Sequence, residues 1–284
     1  MEKTDMTALR KAGFIRQRQK EYMTVRLMSV GGRMTTHQLQ VIQGAADRFA
    51  RGIVFLNVRQ GMEIPFVPVE KAEALRQVLE EGGVKSAPGA QRVGAPIACK
   101  GNQICPAGLI DTTDLAEKII RRYGDREVAG KFMIGISGCQ NNCVRAERND
   151  CGIIGSMITR WQAEGCTYCG VCEKKCPAGA IRVDSAAGTL EFDESRCIHC
   201  GKCVRFCPEK CWTGTATYDV LLNEGDGVRK IALIPDQGQL FAVLDTVLEF
   251  FEKNAEPWER FSRCLKRVGF EKLEEEVEQV LRRQ

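Results

Sequence analysis

Cysteine is the residue type whose number and spacing in this chain could do chemistry. The sequence of 284 residues holds 15 Cys and 2 His. Eight of the cysteines form two runs of one pattern, C-x2-C-x2-C-x3-C-P, and the second run starts 31 residues after the first. The runs are Cys166, Cys169, Cys172 and Cys176, and Cys197, Cys200, Cys203 and Cys207. Thiolates at this spacing are typical ligands of [4Fe–4S] clusters, so the repeat predicts two of them.

The repeat resembles bacterial-type ferredoxins, in which the fourth Cys of each run ligates the cluster of the other run. The resemblance implies one cluster on Cys166, Cys169, Cys172 and Cys207, and another on Cys197, Cys200, Cys203 and Cys176. The alternative is a structural zinc site, whose ligands are typically two separated pairs of Cys. Four cysteines in tandem followed by Pro favour the clusters.

Four more cysteines lie in two loops closer to the N-terminus. They are Cys99 and Cys105, spaced C-x5-C, and Cys139 and Cys143, spaced C-x3-C. With glycines and asparagines around them, these thiols suffice for a third [4Fe–4S] cluster, and spacing alone leaves a zinc site or unrelated buried thiols open. The remaining Cys151, Cys211 and Cys264 are expected to be small buried hydrophobic residues.

These two loops also carry a wider resemblance. The C-x5-C and C-x3-C pair, the asparagines after Gly138 and the Asn149-Asp150 pair resemble the siroheme–[4Fe–4S] motif of sulfite and nitrite reductases. Residues 23–67 are similar to the ferredoxin-like half domain of that family, with an Arg in a first strand, a Gly-Gly turn, a helix, and a second strand ending in Arg-Gln. Within the family, the chain is most like the catalytic (C) subunit of the anaerobic sulfite reductases or a small single-copy sulfite reductase.

The resemblance implies an α+β fold in three parts. The expected parts are a ferredoxin-like half domain over residues 1–80, an α/β siroheme–[4Fe–4S] domain over 81–160 and 214–284, and an inserted bacterial-type 2[4Fe–4S] ferredoxin domain over 161–213. Hydrophobic periodicity predicts elements that suit this architecture. They include a strand over 22–30, a helix capped by Thr35 or Thr36, an apolar strand over 53–58, a helix ending at Gly82, a buried strand leading into Cys139, and C-terminal helices broken at Gly269.

The same resemblance implies an oxidoreductase that carries out the six-electron reduction of sulfite to sulfide at a coupled siroheme–[4Fe–4S] centre. Cys143 would bridge the third cluster and the siroheme iron, with Asn142 also contacting the cofactor. A thiolate axial ligand donates electron density to the iron, which favours cleavage of bonds to oxygen. The expected cofactors are therefore three [4Fe–4S] clusters and siroheme, with the two ferredoxin clusters delivering electrons.

Basic residues match the family's anion-binding positions. Arg26, Arg59 and Lys131 match the substrate side, and each could instead be a solvated surface charge. Arg suits bidentate recognition of sulfite or of siroheme carboxylates, both of which are assigned to Arg59, and Lys suits proton donation. Arg229 and Lys230 are assigned to the siroheme carboxylates.

Two departures from the family pattern bear on the substrate. Met133 stands where sulfite reductases typically carry a second Lys, two residues after the one that matches Lys131. Asn223 and Glu224 stand where Gly-Gly is expected in the segment 221–230. These departures keep two alternatives open. One is a reductase of nitrite or another small oxyanion, and the other is a non-catalytic iron–sulfur electron-transfer subunit that lacks functional siroheme.

Composition bears on partners and location. The 41 basic and 37 acidic residues leave a net charge of +4, which is too small to argue for nucleic acid. The sequence offers no apolar run long enough for a membrane span and its start lacks the apolar core of a secretory signal, so a cytoplasmic protein is expected.

The absence of a cofactor motif points to an electron donor. The sequence has no G-x-G-x-x-G between a strand and a helix, so electrons are expected from another protein, either a ferredoxin or a flavin/iron–sulfur subunit. The single copy of the half domain leaves a sheet edge unpaired, which predicts a homodimer or a hetero-oligomer.

Overall fold

The N-terminal unit is an antiparallel sheet packed against helices. In this computed structural model, which describes residues 6–87, 89 and 91–283, its elements are α1 (Met6–Lys11), β1 (Phe14–Arg16), β2 (Tyr22–Leu27), α2 (Thr36–Phe49), β3 (Phe55–Leu56), β4 (Met62–Pro68) and α3 (Ala72–Glu81). The strand order is β1-β2-β4-β3. Apolar side chains of the strands and of both longer helices share one core, which includes Val25, Ile42, Ile64 and Leu75.

The helix limits in this unit follow from local sequence, as predicted. Thr35 caps α2, because its hydroxyl accepts from the Gln38 amide while the Gln38 side chain accepts from the Thr35 amide, a capping box. Gly82 ends α3. The strand predicted over 22–30 is shorter and ends at Leu27.

The apolar strand predicted over 53–58 is wrong in length. Only Phe55 and Leu56 pair, and they pair with β4 at the edge of the sheet. A tight turn stops the strand, since the Asn57 side-chain oxygen accepts from the backbone amides of Arg59 and Gly61. Five apolar side chains are consequently exposed, and we call them the β3 strip: Ile53, Val54, Phe55, Leu56 and Val58.

The central unit begins with two short parallel pairings. Its first elements are β5 (Ile97–Ala98), α4 (Gly101–Ile104), α5 (Thr112–Tyr123), β6 (Ile134–Ser137) and β7 (Cys151–Trp161). Strand β6 is buried along its whole length and pairs in parallel with both β5 and β7, which is the setting predicted for the strand leading into Cys139. Helix α5 starts at the Asp111 cap, whose carboxylate accepts from the amides of Thr113 and Asp114.

The Cys-rich segment forms a small unit of its own. Its elements are α6 (Val171–Lys175), β8 (Ile181–Asp184), β9 (Thr189–Phe192) and α7 (Lys202–Phe206). Strands β8 and β9 form a two-stranded hairpin. A separate small core is centred on Ile181 and Trp212.

The chain then returns to the central sheet. The last elements are β10 (Trp212–Asn223), β11 (Val228–Ile234), α8 (Gln237–Asn254), α9 (Phe261–Val268) and α10 (Phe270–Arg282). The sheet order is β11-β10-β7-β6-β5, and β10 pairs with β7 from Trp212 opposite Trp161 onward. The Cys-rich unit therefore leaves and re-enters the sheet at one point, as expected of an insertion, while the exact domain limits stay predictions.

The C-terminal helices cover the central sheet. Phe132 contacts Phe251 and Phe261 with ring centroids 6.0 and 5.1 Å apart, so α8 and the start of α9 share the core of β6. Gly269 separates α9 from α10 with φ +103°, a conformation that favours glycine. Within the described residues no helix is both long and apolar enough to cross a membrane.

Candidate catalytic centre and cluster sites

Two cavities in the inserted unit are each lined by four cysteines. The first set is Cys166, Cys169, Cys172 and Cys207. The second set is Cys176, Cys197, Cys200 and Cys203. Each set takes three Cys from one run and the fourth from the other run, which is the division that the ferredoxin resemblance implied. Four thiols around one cavity suit a cubane cluster, in which each iron takes one thiolate.

The backbone repeats along with the sequence in these two loops. Tyr168 and His199 have φ of 51° and 55°, and the glycines that start α6 and α7, Gly170 and Gly201, are also left-handed. Such turns direct amides toward the sulfurs: the His199 amide donates to Cys197 Sγ at 3.4 Å. Amide donors stabilise a thiolate, as a cluster ligand requires.

The third group of thiols gathers between the central sheet and α4. Cys99 and Cys105 flank α4, while Cys139 and Cys143 follow β6. Burial raises the pKa of Cys139, and the charges of Cys99, Cys105 and Cys143 act in the same direction, which puts the four thiols in one region of the domain. In the described part of the chain, no three His, Cys, Asp or Glu side chains converge on one metal-ion position.

Glycine allows the two loops of the third site to approach closely. The Gly138 amide donates to Cys99 Sγ at 3.0 Å. A Cβ on Gly138 would lie 3.0 Å from the Gly101 Cα, so a larger residue would push the loops apart. Cys143 is exposed, whereas its three neighbours are partly buried. Its sulfur is therefore the one that a second metal could reach.

Asn142 holds the turn that presents Cys143. It adopts φ 48°, and its Oδ1 accepts from the Ser137 hydroxyl and the Ala146 amide, each at 2.9 Å. Its amide nitrogen donates to Glu147. These bonds assign Asn142 a structural role in the loop, and its contact with a cofactor stays a prediction.

A polar network supports the other end of this loop. Gln140 Nε2 donates to Ser156 Oγ at 2.6 Å and to Asp219 Oδ2 at 2.8 Å. Ser156 is fully buried and donates to the same carboxylate. Lys230 Nζ lies 2.5 Å from Asp219 Oδ1. The sequence reasoning missed this network, whose only local signal is the position of Gln140 directly after Cys139.

The predicted siroheme contacts Arg229 and Lys230 are both engaged within the protein. Arg229 pairs with Glu224 at 2.9 Å and lies over the Phe270 ring at 3.9 Å, and Lys230 pairs with Asp219 as described above. The segment 221–230 is a hairpin between β10 and β11, with Asn223 opposite Val228. Their role toward a cofactor stays a prediction.

The three predicted substrate-side cations come together from separate elements. Arg26 lies on β2, Arg59 in the turn after β3, and Lys131 before β6. Burial and the positive charges of Arg59, Arg26 and Arg260 together lower the pKa of Lys131 to about 8, and the charge of Asp150 opposes this fall. Arg26 is paired with Glu63 at 3.0 Å. Arg260, which precedes α9, is a fourth cation that the sequence reasoning missed.

Most of this positive charge is uncompensated. Among the described residues, no carboxylate lies within salt-bridge distance of Arg59, Lys131 or Arg260. Converging cations with Asp150 as a nearby carboxylate still leave an excess of positive charge, which suits an anion.

Met133 and Asp150 lie at the inner side of this cluster. Met133 is buried, and its sulfur lies so close to Gly94 that a Cβ there would clash with it. Its amide donates to Asp150 Oδ2 at 2.8 Å. Burial raises the pKa of Asp150 to about 6, although the Met133 amide and the charges of Arg260 and Arg59 oppose this rise. Sequence reasoning noted Asp150 as part of a motif but did not assign it to the site.

Comparison with known proteins places each of these parts. Residues 15–82 match the nitrite/sulfite reductase ferredoxin-like half domain, residues 89–160 the nitrite and sulphite reductase 4Fe-4S domain, and residues 165–212 a 4Fe-4S dicluster domain. Arg26 and Arg59 fall in the first match, and Lys131 and Cys143 in the second.

Similar proteins and structures agree with these matches. The chain is 31% identical over 264 residues to a coenzyme F420-dependent sulfite reductase from Methanocaldococcus jannaschii, covering 89% of this chain and 42% of that protein. It is 30% identical over 165 residues to the C subunit of anaerobic sulfite reductase from Salmonella typhimurium, covering 53% of this chain and 48% of that protein. The chain thus spans less than half the length of these curated relatives.

A solved structure shares the fold. The crystal structure of dissimilatory sulfite reductase I (DsrI) superposes with a TM-score of 0.70 at 20% identity, covering 90% of this chain and 69% of that chain. This chain therefore combines the half domain, the 4Fe-4S domain and the dicluster domain. The chain belongs to the nitrite and sulfite reductase family, as a member with a 4Fe-4S dicluster domain inserted between two strands of its central sheet.

Proposed function

We propose that this chain reduces sulfite to sulfide at siroheme held beside the third cluster. The observation that carries the proposal is the convergence of Arg26 and Arg59 from the half domain on Lys131 of the 4Fe-4S domain, the domain that also presents an exposed Cys143. The similarity to proteins described as sulfite reductases supports sulfite as the substrate.

The donor set suits siroheme. The exposed Cys143 would hold siroheme, while the three partly buried thiols beside it would hold the third cluster. Siroheme carries carboxylates, and the excess of cations around Lys131 provides partners for anionic groups. When bound, siroheme would supply the iron at which the anion is reduced.

The protein's own residues would bind the anion and move protons. Arg59 and Arg26 would orient the oxyanion through charge-assisted hydrogen bonds and stabilise negative charge that builds up on its oxygens. Lys131 would donate protons from Nζ, because a pKa of about 8 leaves it charged at neutral pH yet able to release its proton. Glu63 holds Arg26 in place.

Contacts between the inserted unit and the central unit indicate the order of electron transfer. Arg205 on α7 donates to the Pro106 carbonyl at 2.6 Å, next to Cys105. The Met157 amide donates to the His199 carbonyl at 2.8 Å. The first contact joins the second cysteine set to the loop that carries Cys105, and the second joins it to β7 of the central sheet. We therefore assign the Cys176/Cys197/Cys200/Cys203 set as the proximal cluster.

The first cysteine set would then accept electrons from the donor. Cys169 in that set is exposed, whereas the cysteines of the proximal set are buried or partly buried. A ferredoxin or a flavin/iron–sulfur subunit would dock there. In this proposal all three [4Fe–4S] clusters are occupied, and the protein works in the cytoplasm as a homodimer or within a hetero-oligomer.

Two observations favour alternative functions. Met133 removes a cation that sulfite reductases typically carry, which favours nitrite or another small oxyanion. The engagement of Arg229 and Lys230 in ion pairs favours an electron-transfer subunit without siroheme.

A visible spectrum of the anaerobically purified protein, followed by turnover assays, separates these functions. We expect a Soret band and a red band in addition to the iron–sulfur shoulder, and faster oxidation of reduced viologen with sulfite than with nitrite. A protein with only the shoulder would be an electron-transfer subunit. A siroheme spectrum with faster nitrite turnover would instead identify a nitrite reductase.

A further inference from the structure

The segment that ends at Arg260 is fastened to the residues just before Lys131. The Trp258 amide donates to the Ala129 carbonyl at 2.9 Å. The Glu259 carbonyl oxygen approaches Gly130 so closely that a Cβ there would clash with it, so only glycine permits this approach. The backbone of Arg260 is thereby held next to a predicted substrate residue, although the two are far apart in sequence.

The start of α9 fixes Arg260 from the other side. Its carbonyl accepts from the amides of Arg263 and Cys264, each at 3.0 Å. The first turn of α9 buries Phe261 and Cys264 in the central core. Arg260 is therefore a rigidly placed residue with an exposed side chain, in contrast to an arginine on a mobile loop.

Among the described residues no carboxylate forms an ion pair with the Arg260 guanidinium, so this group can bind an anion. Glu259 is already paired with Arg267 at 2.6 Å. The positive charge of Arg260 acts on both Lys131 and Asp150. Met133, at the position where a second Lys is typical, packs inward against Gly94.

We propose that Arg260 is a further anion-binding residue of this centre and supplies, from the C-terminal segment, the cation that Met133 lacks. The ligand is the substrate oxyanion. The inference deepens the proposed function and rests on it, since it assigns Arg260 to the same site. Arg260 lies outside the three segments that match the family domains.

The test compares Arg260→Ala and Arg260→Lys with Arg263→Ala, which removes an exposed arginine in the first turn of α9. Loss of a charged hydrogen bond to the substrate raises KM for sulfite about 10- to 100-fold. We expect this rise in Arg260→Ala, a smaller rise in Arg260→Lys, and no change in Arg263→Ala, with siroheme content equal in all three. An unchanged KM overturns the assignment, and so does a loss of siroheme, because Arg260 would then bind a siroheme carboxylate.

A second readout does not depend on turnover. Competitive acetylation of Lys131, followed by mass spectrometry across pH, reports its protonation in the purified protein. Removing the Arg260 charge is expected to raise the apparent pKa of Lys131, while Arg59, Arg26 and Asp150 still face it, and sulfite should protect Lys131 in the wild type better than in Arg260→Ala. If the labelling of Lys131 is the same in both proteins, Arg260 is not part of the site. If sulfite protects Lys131 but no siroheme is present, the proposed function fails while the placement of Arg260 stands.

Discussion

Lys131 combines burial with a crowd of positive charges, and both disfavour its protonated form. Its pKa of about 8 predicts how turnover depends on pH. A lysine that donates a proton must be charged, so the rate is expected to be constant below about pH 8 and to fall tenfold per pH unit above it. Asp150, with a pKa of about 6, titrates below the pH at which this decline begins and therefore does not cause it. The measurement is kcat for sulfite with reduced viologen across pH.

The variant Lys131→Arg distinguishes proton donation by Lys131 from the effect of its positive charge. Arginine stays protonated at every pH of the assay. We expect kcat to fall by about 10²- to 10⁴-fold, the typical contribution of a positioned general acid, and the decline above pH 8 to disappear. Lys118→Arg, at an exposed lysine paired with Asp114, is the control. A variant at Lys131 that keeps the wild-type pH profile would exclude this lysine as the proton donor.

Cys143 is the residue on which the coupled centre depends. Cys143→Ser is expected to remove the coupling between siroheme and the third cluster while leaving both ferredoxin clusters in place, since those use other cysteines. Electron paramagnetic resonance and Mössbauer spectra of the purified variant measure this. Cys264→Ala, at a buried cysteine of α9, is the control. Intact coupling in Cys143→Ser would mean that another residue forms the bridge.

At the scale of elements, β7, β10 and β11 position the Cys139 loop through a buried carboxylate. Asp219→Ala leaves the buried Ser156 hydroxyl without its acceptor and removes one of the two acceptors of Gln140, which costs about 1–3 kcal/mol of stability. We expect a lower melting temperature and faster loss of iron from the third cluster than from the other two. Asp226→Ala, which removes an exposed carboxylate from the same hairpin, should behave as the wild type. Equal iron loss from all clusters would show that Asp219 does not act on this loop.

A part of the site could be predicted where residues close together in the sequence determine it. The ligand runs are local, so spacing was enough to group the cysteines, although the exchange of Cys176 and Cys207 between sets required the ferredoxin resemblance. Arg260 could not be predicted, because its link to Lys131 passes through packing at Gly130 that no local pattern encodes. The strand predicted from the apolar run at 53–58 is too long, because the turn at Asn57 ends it after Leu56. Periodicity does not tell whether an apolar face meets the core of its own chain or another surface.

At the scale of the whole molecule, the β3 strip predicts where a partner chain binds. Leu56 and Val58 are 77% and 97% exposed, and β3 is one of the two edge strands of the N-terminal sheet. Exposed sheet edges and contiguous apolar patches are typical of surfaces that pair with another chain. We therefore expect the purified protein to form a homodimer through this edge.

Charges placed on the strip test this dimer. The double variant Leu56→Asp with Val58→Asp is expected to be monomeric in size-exclusion chromatography with light scattering, because a dimer would bury both carboxylates without partners. Leu39→Asp, at an exposed leucine on α2 of the same unit, is the control and should remain a dimer. Arg59 follows the strip by one residue, so the monomeric variant should also show a weaker affinity for sulfite, since the turn that places Arg59 would lose its support. A wild-type monomer would refute the predicted dimer, and a double variant that remains dimeric would place the subunit interface elsewhere on the molecule.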